Sequence, residues 1–141
     1  MQLKQLSSAL CVAPQIRMDD LSTLAAQGFR SIVNNRPDGE AADQPDSASL
    51  AATADRLGLA YRHVPVISGR LQDSDVESFA HALAELPAPT LAFCRTGTRS
   101  TMLWALIAAR TEPVDDVVRK AALVGYDLEP LRARLQQAAG H

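Results

Sequence analysis

Cys94, Gly97 and Arg99 stand close together in the stretch LAFCRTGTRSTML, residues 91–103. An apolar run stops at a cysteine, a glycine-centred polar turn follows, and an arginine opens a helical pattern. Cysteine in its thiolate form is a strong nucleophile. Gly97 permits a backbone path that turns successive N–H groups toward one concave side. The helix that begins near Arg99 adds unsatisfied N–H groups and the positive end of its dipole. Arg95 and Arg99 supply charge, and only one of them need face inward. Each of these features favours thiolate over thiol at Cys94, and the same cradle holds an oxyanion. Arg95, Thr96, Gly97, Thr98 and Ser100 are therefore the candidate anion-binding loop, with Cys94 and Arg99 as the catalytic pair. Ser100, directly after Arg99, is a candidate hydrogen-bond donor to the thiolate. Attack on the central atom of a bound oxyanion, through a covalent cysteinyl intermediate, is the chemistry this pattern implies. The plainer reading of Cys94 is a structural thiol at a strand end. It loses weight because a glycine, two arginines and a helix start coincide there. Cys11 has no such neighbours and reads as a small core residue.

The elements that must position this loop follow from hydrophobic spacing. Residues 5–16 read as one or two short edge strands ended by a proline. Residues 18–28 place Leu21, Leu24 and Ala25 on one helical face and stop at Gly28. A strand over 29–35 closes in RPDGE, a turn signal. Helix 46–58, strand 59–66 and helix 73–86 follow, the last with Ser74 and Glu77 in capping-box spacing. Strand 90–94 leads into helix 99–110, and further helices are predicted over 113–125 and 128–138. Strands alternating with helices predict a single α/β domain over 1–141, with a central, mostly parallel sheet flanked by helices. In such folds ligands sit beyond the carboxyl ends of the strands, where Cys94 lies.

Composition narrows the function classes. The chain has 141 residues, 47% of them hydrophobic, enough for one real core. A formal net charge of −2 gives no reason to expect nucleic acid or an acidic membrane surface as partner. No apolar run approaches the length of a membrane span, and SALCVAP is too short for a signal segment. Two distant cysteines make no disulfide framework, so a cytoplasmic setting is expected. No histidine and cysteine spacing suggests a metal site, and no glycine pattern suggests a nucleotide, so no cofactor is expected.

CRTGTRS resembles the active-site loop of rhodanese-type sulfurtransferases. The whole chain, over roughly residues 10–135, resembles a bacterial family. APQI, GFRSIVNNRPDGEAADQP, GLAYRHVPVISGRL, LAFCRTGTRS and GYDL carry that likeness. The family is the beta-lactamase-hydrolase-like, phosphatase-like domain family, also labelled sulfur transferase. The resemblance implies the fold of the dual-specificity and tyrosine phosphatases. It also implies sulfide metabolism, because such domains occur fused to persulfide dioxygenases, which makes such an enzyme a candidate partner.

Two departures from the phosphatase pattern bear on the reaction. Phosphatases place five residues between cysteine and arginine, and here Arg95, Thr96, Gly97 and Thr98 make four. They also place histidine before the cysteine, where this chain has Phe93. A third departure concerns the general acid, because Ile67 stands where phosphatases carry an aspartate. Asp73 and Asp75 are the nearby candidates for it, against a plain reading as acids in the first turn of a helix. An alkoxide leaving group needs that proton, whereas sulfite leaving from thiosulfate does not. Arg36, Asp38 and Glu40, in NNRPDGE, are candidates for the rim of the pocket, or residues of a solvated turn. His63 reads as core or pocket, His81 as solvated, and His141 as a terminal residue. Arg99 is expected to be partly solvated. The leading expectation is a cysteine-dependent sulfurtransferase that forms a persulfide on Cys94 from thiosulfate or a low-molecular-weight persulfide. The runner-up is a phosphatase that hydrolyses phosphate esters through a phosphocysteine. A non-catalytic anion-binding module ranks third, since binding alone requires no thiol.

Overall fold

Alternation along the strands sorts the side chains into two layers. In the computed structural model, which describes residues 1–140, Val12, Val33 and Ala92 point to one face of the sheet. Ala13, Ile32, Leu91 and Phe93 point to the other. The strands are β1 (Lys4–Gln5), β2 (Leu10–Ala13), β3 (Ser31–Asn34), β4 (Ala60–His63) and β5 (Thr90–Phe93). Their order is β1-β2-β5-β3-β4, all neighbours parallel except β1 against β2. Helices α1 (Asp20–Ala26) and α2 (Ser47–Arg56) cover the Ile32 and Leu91 face. Helices α3 (Asp73–Glu85), α4 (Thr98–Ala108), α5 (Val114–Leu123) and α6 (Arg132–Ala139) cover the other. β3 and β5 are buried along their whole length, as strands covered on both faces must be.

Three details differ from the sequence expectation. β2 lies inside the sheet between β1 and β5, and the edge on that side is the two-residue β1. The capping box of α3 forms two residues earlier than Ser74 and Glu77: the Gln72 side chain takes the N3 N–H, and Asp75 takes the backbone N–H of Gln72 at 2.8 Å. The last segment begins as a 3-10 turn at Glu129–Leu131, where Pro130 sits, and only then becomes α6. His141 lies outside the described residues.

The register fixes where the site falls. Phe93, the last residue of β5, stands level with Ala13 of β2 and Asn34 of β3. The three chains therefore leave the sheet side by side, and their following loops meet. Gln15 N–H donates to the Arg95 carbonyl at 3.2 Å, and Asn35 N–H to that of Phe93 at 2.8 Å. Segment 34–40 is thus drawn to Cys94 by strand pairing.

Candidate active site

Cys94 ends β5 fully buried, and the Gly97 N–H donates to its sulfur at 3.1 Å. Gly97 has φ of +89°, a left-handed conformation that costs L side chains energy. A Cβ at this position would run into the Tyr126 hydroxyl. Gly97 is also the N-cap of α4, and no side chain caps that end. The Thr98 N–H reaches the Thr96 hydroxyl at 3.5 Å, and the next N–H groups of α4 are left to whatever the loop holds. The Thr101 hydroxyl donates to the Gly97 carbonyl at 2.8 Å, and the Tyr126 hydroxyl to that of Thr96 at 3.0 Å. These two bonds tie the turn to α4 and to the segment after α5.

Of the two arginines, Arg99 is the one that turns inward; Arg95 is exposed. Arg99 is not partly solvated as expected, for only 9% of it is exposed. Its two Nη atoms grip both oxygens of Glu40, at 2.8 and 2.9 Å, and Nη1 also donates to the Val66 carbonyl at 2.8 Å. A guanidinium has five N–H donors, so Nε–H and one Nη2 hydrogen are left for an anion. The Glu40 hydrogen bond, and behind it the charge of Cys94, hold Arg99 above its ordinary pKa. Glu40 in turn lies below the usual carboxylate range, chiefly through Arg99 and then through Arg36.

The other sequence candidates distribute as follows. Glu40 is brought to the site. Arg36 stands behind it, buried, donating to Glu40 and to the Gln15 side chain at 3.0 Å each. Asp38 turns away to accept the Ser47 N–H at 2.8 Å, at the start of α2. The Ser100 hydroxyl donates at 2.7 Å to the Asn35 side chain, not to Cys94. Asn35 donates on to the Val64 carbonyl, so this chain of bonds ties α4 to β3 and β4. Thr96 and Thr98, both exposed, pair their hydroxyls at 3.0 Å. Asp75 serves the α3 capping box, and the exposed Asp73 pairs with Arg134. The His63 ring meets the Arg36 carbonyl at 2.9 Å, and His81 is solvated. Cys11 is half-buried beside the Leu91 cluster, and burial pushes its thiol up.

A cleft of about 480 Å³ lies over the loop, lined by Arg95, Thr96, Thr98, Arg99, Met102 and Arg134, with Ser68, Gly69 and Leu71. Tyr126 and Arg134 went unread as site residues in the sequence. Tyr126 carried a faint signal in GYDL, an aromatic residue just after a glycine helix stop; Arg134 carried none. Among the described residues, no cluster of His, Cys, Asp or Glu could hold a metal ion. No helix among them is long and apolar enough to cross a membrane.

A family model described as beta-lactamase hydrolase-like protein, phosphatase-like domain, matches residues 2–111. The beta-lactamase hydrolase-like protein of Xylella fastidiosa is 39% identical over 106 residues, and that of Agrobacterium fabrum 35%. Both alignments cover 75% of this chain and 25% of the relative, so the chain spans about a quarter of these relatives' length. A crystal structure of a candidate phosphatase from Neisseria meningitidis is 37% identical, with a TM-score of 0.87. That match covers 98% of this chain and 99% of the other. The catalytic core of the PP-IP phosphatase SIW14 from S. cerevisiae shares the fold at 13% identity. Its TM-score is 0.73, with 98% and 83% of the two chains covered.

Proposed function

The chain belongs to the phosphatase-like domain family of beta-lactamase hydrolase-like proteins, and on that premise we propose that it is a cysteine-based phosphatase for small phosphate esters. The observation that carries the reading is the pairing of Cys94 with Arg99. The sulfur is already a hydrogen-bond acceptor of the loop, and the guanidinium beside it is locked by Glu40 with two donors to spare. Cys94 attacks phosphorus, the ester oxygen leaves, and a phosphocysteine forms. Water then cleaves the P–S bond, releasing phosphate and restoring the thiolate. Arg99 and the loop N–H groups hold the non-bridging oxygens, whose charge must be met throughout the transfer.

No carboxylate lines the cleft among the described residues. Glu40 cannot serve as an acid, because two arginines keep it ionised. Esters whose leaving oxygen needs little protonation, aryl phosphates above all, are therefore the favoured substrates. The same observation supports sulfur transfer as a second reading. Attack of Cys94 on the outer sulfur of thiosulfate would break the S–S bond, release sulfite with the bonding pair and leave a persulfide, with no proton required. Comparing phosphate release from an aryl phosphate by wild type and Cys94→Ser tests the first reading. The expected result is turnover in wild type and none in the variant; equal rates in both would refute it.

A further inference from the structure

The wall of the cleft over the loop that follows Cys94 is cationic in a chain that is acidic overall. Three arginines, Arg95, Arg99 and Arg134, line it with no Asp or Glu among the lining residues, although the chain carries 16 acids against 14 basic residues. Arg99 is committed to Glu40 and, on the phosphatase reading, to the phosphoryl group under attack. The other two are not consumed in this way. Among the described residues, Arg95 has no ion-pair partner. Arg134 is tethered, its Nη1 donating at 2.7 Å to the Leu71 carbonyl, which fixes the guanidinium at the cleft edge. Its one carboxylate partner, Asp73, meets Nη2 at 3.0 Å, but that side chain is 98% exposed, so water screens the pair. Nε–H and further Nη hydrogens of Arg134 remain available for an anion.

We infer that Arg134 and Arg95 form a second anion-binding point, and that the site takes small substrates carrying a second phosphate beside the one presented to Cys94. The inference deepens the phosphatase reading and rests on it for what reacts at Cys94. A pre-placed planar fork on one side and an unpaired guanidinium on the other suit the oxygens of a phosphate. The cleft volume leaves room for a small organic body between the two groups. Arg134 comes from α6, beyond the segment that the family model matches, so this second point belongs to the C-terminal helices.

Binding to Cys94→Ser, which cannot turn over, tests the inference separately from the chemistry. The probes are phenyl phosphate and 1,3-phenylene bisphosphate, which differ only in the second phosphate, measured by calorimetry at low salt. The expected result is a bisphosphate affinity about tenfold above that of the monophosphate. Arg134→Gln should bring the ratio down to about twofold, the statistical value for two equivalent phosphates. Asp73→Asn, which frees Arg134 from its pair, should raise it. Turnover of phenyl phosphate by wild type is followed in parallel. Preference for the bisphosphate without turnover would uphold the second anion point while sinking the phosphatase reading. A ratio near two in Cys94→Ser itself, or one that survives Arg134→Gln, would overturn the inference whatever the turnover.

Discussion

Glu40 joins the two buried arginines of the site, and the sign of its pH dependence follows from that. Its carboxyl is held below its ordinary value, first by the hydrogen bond from Arg99 and then by Arg36. The stabilisation is therefore fully present above the unfolded pKa of about 4.3. It is lost as pH falls through the lower folded value. The thermal stability of wild type should fall below about pH 4, and Glu40→Gln should be less stable at neutral pH but lose less on acidification. An unchanged acid slope in Glu40→Gln would show that another group carries the effect. Arg99→Lys keeps the charge and loses the fork that spans both Glu40 oxygens. Turnover should fall about 100-fold, the cost typical of losing one oxyanion donor. Stability should fall by about 1–2 kcal/mol, because the group is buried and bonded. If Arg95→Lys proved the more damaging change to aryl phosphate turnover, the inward arginine would be misassigned. Cys94, Gly97 and Arg99 were legible because their chemistry is local: a nucleophile, a turn residue and a cation in one loop. Glu40 was legible only as a rim candidate, since a Pro-Asp-Gly turn looks the same whether or not its next glutamate grips an arginine.

The loop between β5 and α4 is held in one shape by its neighbours. Gly97 has both a positive φ and a hydroxyl where a side chain would begin. Gly97→Ala should abolish turnover while far-UV circular dichroism stays native, since the rest of α4 is packed independently of that residue. Tyr126→Phe removes a single bond, the one to the Thr96 carbonyl. It should cost about 1 kcal/mol of stability and a few-fold in rate. If Tyr126→Phe were as damaging as Gly97→Ala, the hydroxyl would have a role beyond bracing the turn. Such braces were hidden in the sequence because their partners are remote: Tyr126 meets Thr96 thirty residues away. The elements themselves were readable from apolar spacing, as with Leu21 and Leu24 in α1. The cap of α3 was not, because Gln72 with Asp75 and Ser74 with Glu77 offer the same spacing two residues apart. Backbone geometry chose the first.

Over the whole molecule, the sheet gathers the site and the C-terminal helices complete it. The mostly parallel sheet was legible from the alternation of strands and helices. Its order was not, because β2 is short and polar-flanked enough to read as an edge although it pairs with the central β5. The segment beyond residue 111 supplies Val117, Val118, Leu128 and Leu135 to the core, all buried. At about 1.5–3 kcal/mol for each buried side chain, their loss approaches the whole stability of a domain, about 5–15 kcal/mol. A protein ended after residue 111 should therefore fail to unfold cooperatively on heating, with Trp104, now buried, exposed and its fluorescence shifted to the red. A sharp thermal transition in that fragment would show that the family-matched segment stands alone. The absence of an acid from the cleft predicts a steep fall in kcat/KM as the leaving-group pKa rises across a series of aryl phosphates; a flat series would mean that a proton donor has been overlooked. The central claim, that Cys94 attacks phosphorus, is tested most directly by the intact mass of protein quenched in acid during turnover. An aryl phosphate should leave the chain heavier by one phosphoryl group, lost in Cys94→Ser, and thiosulfate should leave the mass unchanged. A gain of one sulfur atom from thiosulfate, with no phosphoryl adduct from the ester, would contradict the account and make the protein a sulfurtransferase.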